Sequence, residues 1–187
     1  MNNKNDLNEN DINENDLNEN NLNENDLNKN DLNENDLNKI DLNENDFKTY
    51  RHKAQYYETD QMKVVHHSNY IRWFEEARTD MLEQAGYGYG HMEEDGISIP
   101  VLGVSCEYKS MVRYGDAVDI ISKIEFFNGV RMTLSYKVTD SVTGKLKASG
   151  ETKHCFIGRD GRPISLMKNN RAIYDVFLKL KAASDNV

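Results

Sequence analysis

Asp60 closes an aromatic-rich, strand-like run, and seven residues later His67, Ser68 and Asn69 open a strongly amphipathic stretch. A carboxylate can attack an electrophilic carbon or take a proton from water. The first N–H groups of a helix lack internal partners and lie at the positive end of its dipole. An acid facing such a helix start therefore suits attack on a polarised carbonyl whose oxygen gathers negative charge. The plainer alternatives are that Asp60 is a turn residue and that Ser68 or water caps the free N–H groups.

The elements that must hold these residues follow from periodicity. Phe47–Thr59 reads as a first strand, with Tyr50, Tyr56 and Tyr57 and no breaker. From Ser68 to Ala85, Tyr70, Phe74, Ala77, Met81 and Ala85 recur at helical spacing, widened by Ile71, Trp73 and Leu82. Ser68 or Asn69 can cap this helix and Gly86 can close it, with Glu75, Glu76, Arg78, Asp80 and Glu83 as its polar side. After a Gly/Tyr-rich connection come four strand candidates, Ile97–Lys109, Asp116–Phe127, Val130–Asp140 and Leu146–Gly158. Arg113–Asp116, Asn128–Gly129 and Ser141–Gly144 mark the turns between them. An amphipathic segment over Lys168–Leu180 ends the pattern. Strand, long helix, then hairpin-linked strands predicts an α+β domain with an antiparallel sheet, not a doubly wound parallel one.

Charge divides the chain in two. Residues 1–46 hold eight Asp and six Glu against three Lys, a net of −11, whereas the whole chain carries −9, leaving residues 47–187 near +2. A balance so slight and dispersed does not fit nucleic-acid binding. From Asp6 to Asn45 the leader repeats D-L-N-E-N eight times, returning one apolar residue every five positions. That period matches neither helix nor strand, so a disordered, acidic, low-complexity tail is expected over 1–46 and one domain over 47–187. Pentapeptide-repeat β-helices share the central Asp-Leu pair, but eight repeats would close only two coils. Cys106 and Cys155 lie in strand-like runs without CxxC spacing, as free core thiols would. No basic segment followed by an apolar one and no long apolar run occurs, so a cytoplasmic location without membrane attachment is expected.

The segment YYETDQMKVVHHSNYIRWFEEAR resembles the motif of hotdog-fold acyl-CoA thioesterases, the 4-hydroxybenzoyl-CoA thioesterase and YbgC-like family, which has an acid at the Asp60 position and a glycine before the Val-Val pair. The RYGD turn and the later HCFIGRDGRP are similar too, so the resemblance runs from Phe47 to about Ile164. It implies a hotdog fold, in which about five antiparallel strands wrap one long helix. It also implies hydrolysis of an acyl-CoA to the free acid and CoA, with Asp60 as nucleophile or general base. The backbone N–H of His67 would then be the oxyanion donor, and Val65, His66 and Tyr70 would contact substrate. A site between subunits implies a homodimer or homotetramer. Lys63 departs from the pattern, standing where the family has glycine.

Other residues have plainer roles. Glu75 and Glu76 could carry the carboxylate, as helical acids do elsewhere on the fold, but surface pairs with Arg78 or Thr79 suit them better. Tyr70, Trp73 and Phe74 read first as core or subunit contacts. Lys109, Arg113, Arg131, Lys153, Arg159 and Arg162 could meet CoA phosphates only as loose surface charge, because no Gly-rich phosphate loop is present. No HxxxH or carboxylate partner gives His66 or His67 metal-ligand spacing, so neither metal nor cofactor is expected. Two alternatives remain on the same fold, a non-catalytic acyl-CoA-binding module and a 3-hydroxyacyl dehydratase. Pro100 and Pro163 both lie away from any His, which counts against the dehydratase.

Overall fold

A computed structural model describes residues 49–185, apart from the side chain of residue 185; the repeat of residues 1–46 lies outside that range. In chain order the elements are β1 (Tyr50–Lys53), a 3-10 turn (Tyr56–Glu58), α1 (His67–Gln84), α2 (Tyr89–Glu94), β2 (Val101–Tyr108), β3 (Ala117–Phe127), β4 (Arg131–Asp140), β5 (Leu146–Cys155), α3 (Leu166–Asn169) and α4 (Arg171–Asp185). The strands form one antiparallel sheet in the order β1-β3-β4-β5-β2. It wraps α1 as the hotdog resemblance implies.

The apolar stripe of α1 is the hub. Trp73, Phe74 and Leu82 are fully buried, and Phe74 stacks on Tyr136 of β4 with ring centroids 4.4 Å apart. That stacking needs Gly150, which faces Tyr136 across the sheet; a β-carbon there would come within 2.4 Å of the Phe74 ring. Beside α1, α4 lies against β3, where Phe177 packs on Phe127 and Phe156. Ser184 accepts the N–H of Ile124 at 3.1 Å, beside the register shift between Ile124 and Phe126.

Three expectations change. The first strand is only four residues long, because the Gln55 N–H turns inward to the Glu58 carboxylate at 2.6 Å and the chain coils into the 3-10 turn. Tyr56 and Tyr57, which made the run look strand-like, are 77% and 80% exposed. The Gly/Tyr-rich connection carries α2, whose Met92 is buried. Arg78, expected on the polar side of α1, is 3% exposed, donating to the Tyr89 hydroxyl at 3.2 Å with its Nη1 3.4 Å from His154 Nε2. Cys106 and Cys155 are free thiols, the second buried. Among the described residues no helix is long and apolar enough to cross a membrane.

Candidate active site

The segment that carries Asp60 folds back on the start of α1 as a small hairpin. Asp60 donates its N–H to Val64 at 2.9 Å, Thr59 bridges Val65, and the His66 N–H reaches the Glu58 carbonyl at 2.8 Å. The tip turns at Lys63, whose φ of 61° is the left-handed conformation that glycine adopts most easily. The lysine thus takes the backbone shape of the glycine it replaces, at a cost of about 1 kcal/mol for carrying a side chain there.

Asp60 is half-buried, and its Oδ1 accepts the Met62 N–H at 2.7 Å in an Asx turn. Its second oxygen has no hydrogen-bond partner among the described residues. Both readings of Asp60 are therefore compatible in one side chain: one oxygen holds the turn and the other is open for chemistry.

At the other end of the hairpin, His66 is the N-cap of α1, with φ −62° and ψ 136°. Its ring Nδ1 accepts the Ser68 N–H at 3.3 Å and sits 2.8 Å from the Ser68 hydroxyl, so a histidine does the capping expected of Ser68 or Asn69. The Asn69 N–H turns back to the His66 carbonyl at 3.0 Å. The His67 N–H is left without an acceptor among the described residues. A free donor at the first residue of an 18-residue helix points the positive end of the dipole at whatever binds there.

The remaining expected residues differ in accessibility. The rings of His66 and His67 are exposed and lie 4.0 Å apart. Tyr70 is 3% exposed, packed on Trp73 at 4.7 Å and edge-on to Tyr108 at 5.2 Å, and burial pushes its hydroxyl up to about 12. The Tyr108 hydroxyl, also raised to about 12 by burial, donates to the His67 carbonyl at 3.1 Å. Val65 is a core residue, 5% exposed, whose N–H bonds the Val112 carbonyl at 2.8 Å. Around the hairpin, Tyr56, Tyr57, Met62, Met111 and Tyr114 all stand more than half exposed. Glu75 is exposed, and Glu76 accepts from the Tyr50 hydroxyl at 2.9 Å, away from the hairpin.

Sequence reasoning missed Glu58. It is a buried carboxylate, 5% exposed, two residues before Asp60. Burial alone would raise its pKa; the Gln55 N–H, His52 and the Trp73 indole N–H outweigh that and hold it below the ordinary range. Only its place inside the Y-Y-E-T-D string could have drawn attention to it.

A five-stranded antiparallel sheet around one long helix is the hotdog arrangement. Comparison with known proteins agrees. The model of the thioesterase-like superfamily matches residues 55–181. A solved structure of the hypothetical protein AQ1494 from Aquifex aeolicus is 34% identical with a TM-score of 0.64, covering 69% of this chain and 98% of its own. The DHNA-CoA thioesterase from Staphylococcus aureus is 30% identical with a TM-score of 0.69, covering 74% of this chain and 93% of its own. The acyl-CoA thioester hydrolase YbgC of Escherichia coli O6:H1 is 24% identical over 89 residues, 48% of this chain and 66% of that protein. The chain belongs to the thioesterase-like superfamily, and it is a thioester hydrolase.

Proposed function

We propose that this protein hydrolyses an acyl-CoA to the free carboxylic acid and CoA. In this reading the thioester carbonyl docks with its oxygen on the His67 N–H. The open oxygen of Asp60 drives attack on the carbonyl carbon, directly or through a water whose proton it takes. Charge gathers on the carbonyl oxygen as the tetrahedral species forms, and the α1 dipole with the free N–H stabilises it. In the water route the C–S bond breaks and CoA leaves as the thiol, taking back the proton that Asp60 had accepted. In the direct route CoA leaves as the thiolate and takes a proton from solvent, and water then hydrolyses the Asp60 acyl anhydride to the free acid. The observation that carries the reading is the pairing, on one short hairpin, of a half-occupied carboxylate with an unpartnered helix N–H. The acyl-CoA thioesterase activities of YbgC and the staphylococcal relative support the substrate class.

The same reading includes assembly as a homodimer through β2. This strand is the sheet's edge, paired only to β5 among the described strands, and Leu102, Val104 and Tyr108 are 46%, 47% and 49% exposed along it. A long edge with apolar side chains invites pairing with a second copy. Tyr108 ends that edge and bonds the His67 carbonyl, so such pairing would bring a second subunit up to the helix start. The domain division at residue 46 and a cytoplasmic location belong to this proposal as well.

Thiol release from benzoyl-, 4-hydroxybenzoyl-, butyryl-, octanoyl- and palmitoyl-CoA, read beside the mass in solution, tests it. Turnover of at least one thioester by a species of twice the chain mass or a higher multiple is expected. Binding of acyl-CoA without release of thiol would move the protein to a non-catalytic acyl-CoA module.

A further inference from the structure

Besides the Val65–Val112 and Tyr108–His67 bonds, the hairpin that holds Asp60 and His67 is tied to the rest of the fold through several bonds of one residue, Glu58. Glu58 Oε2 accepts the Gln55 N–H at 2.6 Å and lies 3.0 Å from His52 Nε2 on β1. Its Oε1 accepts the indole N–H of Trp73, in the buried face of α1, at 2.7 Å. Its backbone carbonyl takes the His66 N–H at 2.8 Å and the Asn69 side-chain N–H at 2.7 Å. Glu58 therefore bonds to β1, to the 3-10 turn, to the cap of α1 and to two residues within α1. His52 extends the tie, with its Nδ1 3.3 Å from Glu76 Oε2.

A buried carboxylate must be matched with donors, and here they come from Gln55, His52 and Trp73 and none from a Lys or Arg. What these bonds secure is position, since the residue that anchors the turn before Asp60 is the residue that anchors the cap before His67. We propose that Glu58 is a positioning residue, whose carboxylate fixes the spacing between the Asp60 oxygen and the His67 N–H. The inference rests on the reading of Asp60 and His67 given above. A misplacement of about 1 Å between reacting groups lowers the rate by roughly 100-fold. The effect is therefore expected in kcat rather than in KM.

Glu58→Gln keeps the shape but turns an NH₂ group toward donors, and Trp73→Phe removes one donor while leaving the acid in place. The test is kcat and KM for thiol release from the best acyl-CoA substrate, expressed per folded molecule, with circular dichroism and thermal melts on the same samples. Glu58→Gln should lose about 10- to 100-fold in kcat with KM within about threefold of the parent. Trp73→Phe should lose less, in the same parameter. Normal kcat per folded molecule in both variants, whatever their melting temperatures, would reduce Glu58 to a brace of the fold and overturn the proposal. Asp60→Asn, run alongside, separates the two failures. Inactive Asp60→Asn beside fully active Glu58→Gln and Trp73→Phe overturns the positioning role alone; active Asp60→Asn overturns the Asp60 reading and this inference with it.

Discussion

The oxyanion role assigned to the His67 N–H can be tested by deleting that one hydrogen. His67→Pro does so at the position where proline fits a helix best, because the first helical residue has no internal acceptor and its φ is already near proline's. The preceding residue must avoid the helical region, and His66 at φ −62° and ψ 136° already does. The substitution breaks no backbone hydrogen bond among the described residues, since the His67 N–H has none. Stability should therefore change by less than about 1 kcal/mol. Loss of one preorganised oxyanion donor costs about 2.7–4 kcal/mol in the transition state, or roughly 100- to 1,000-fold in kcat. His67→Ala is the control: it removes the exposed ring but keeps the N–H, and should stay within about threefold of the parent. Steady-state thiol release, with urea melts for folding, reads both. A His67→Pro variant with full kcat would refute the assignment. A His67→Ala variant as damaged as His67→Pro would move the role from backbone to imidazole.

Two further predictions concern the frame. Gly150→Ala places a methyl 2.4 Å from the Phe74 ring and 2.6 Å from the Ser105 carbonyl, and that second neighbour is backbone. Overpacking of this kind costs about 1–3 kcal/mol, so a lower urea midpoint is expected at unchanged m-value; an unaltered midpoint would mean that Phe74 is free to repack. Burial, then the nearby charge of Arg78, lowers His154 from the ordinary 6.5 to about 4. The unfolded chain then takes up a proton that the folded one refuses. Stability is intact above about pH 6.5 and declines as pH falls towards 4, by roughly 3 kcal/mol over the window. His154→Gln should flatten urea-derived stability between pH 6.5 and 4.5, and a slope equal to the parent's would show that His154 does not cause it. Glu58, lowered rather than raised, adds its own loss only below its ordinary carboxylate range.

Much of this was legible before the structure. The stripe from Tyr70 to Ala85 is periodic over about four turns, so it could only be a helix with one buried face. The hairpin strands were bracketed by turn residues, and their bounds moved by only a few positions. What stayed hidden depends on partners distant in sequence. Arg78 sits among acids in the string and reads as surface, yet Tyr89 and His154 draw it inside. The strand-like aromatics Tyr56 and Tyr57 face solvent because a buried Glu58 bends the chain beneath them. Histidine capping was missed for a similar reason. Ser68 has the usual capping side chain, but its hydroxyl is turned to the His66 ring. Asp60 and His67 stand out as candidates through spaced identity along the segment from Tyr56 to Arg78. That one Asp60 oxygen is engaged and the His67 N–H is free is a matter of backbone geometry, which no spacing reveals.

The most direct test of the central claim is thiol release by Asp60→Asn on the best acyl-CoA substrate, with folding checked on the same sample. The substitution keeps an oxygen able to accept the Met62 N–H, so the turn should hold. The charge needed for attack is gone. A fall of at least about 1,000-fold in kcat with an unchanged melt is predicted; activity close to the parent's would contradict the account and turn attention to Glu75 and Glu76 on α1.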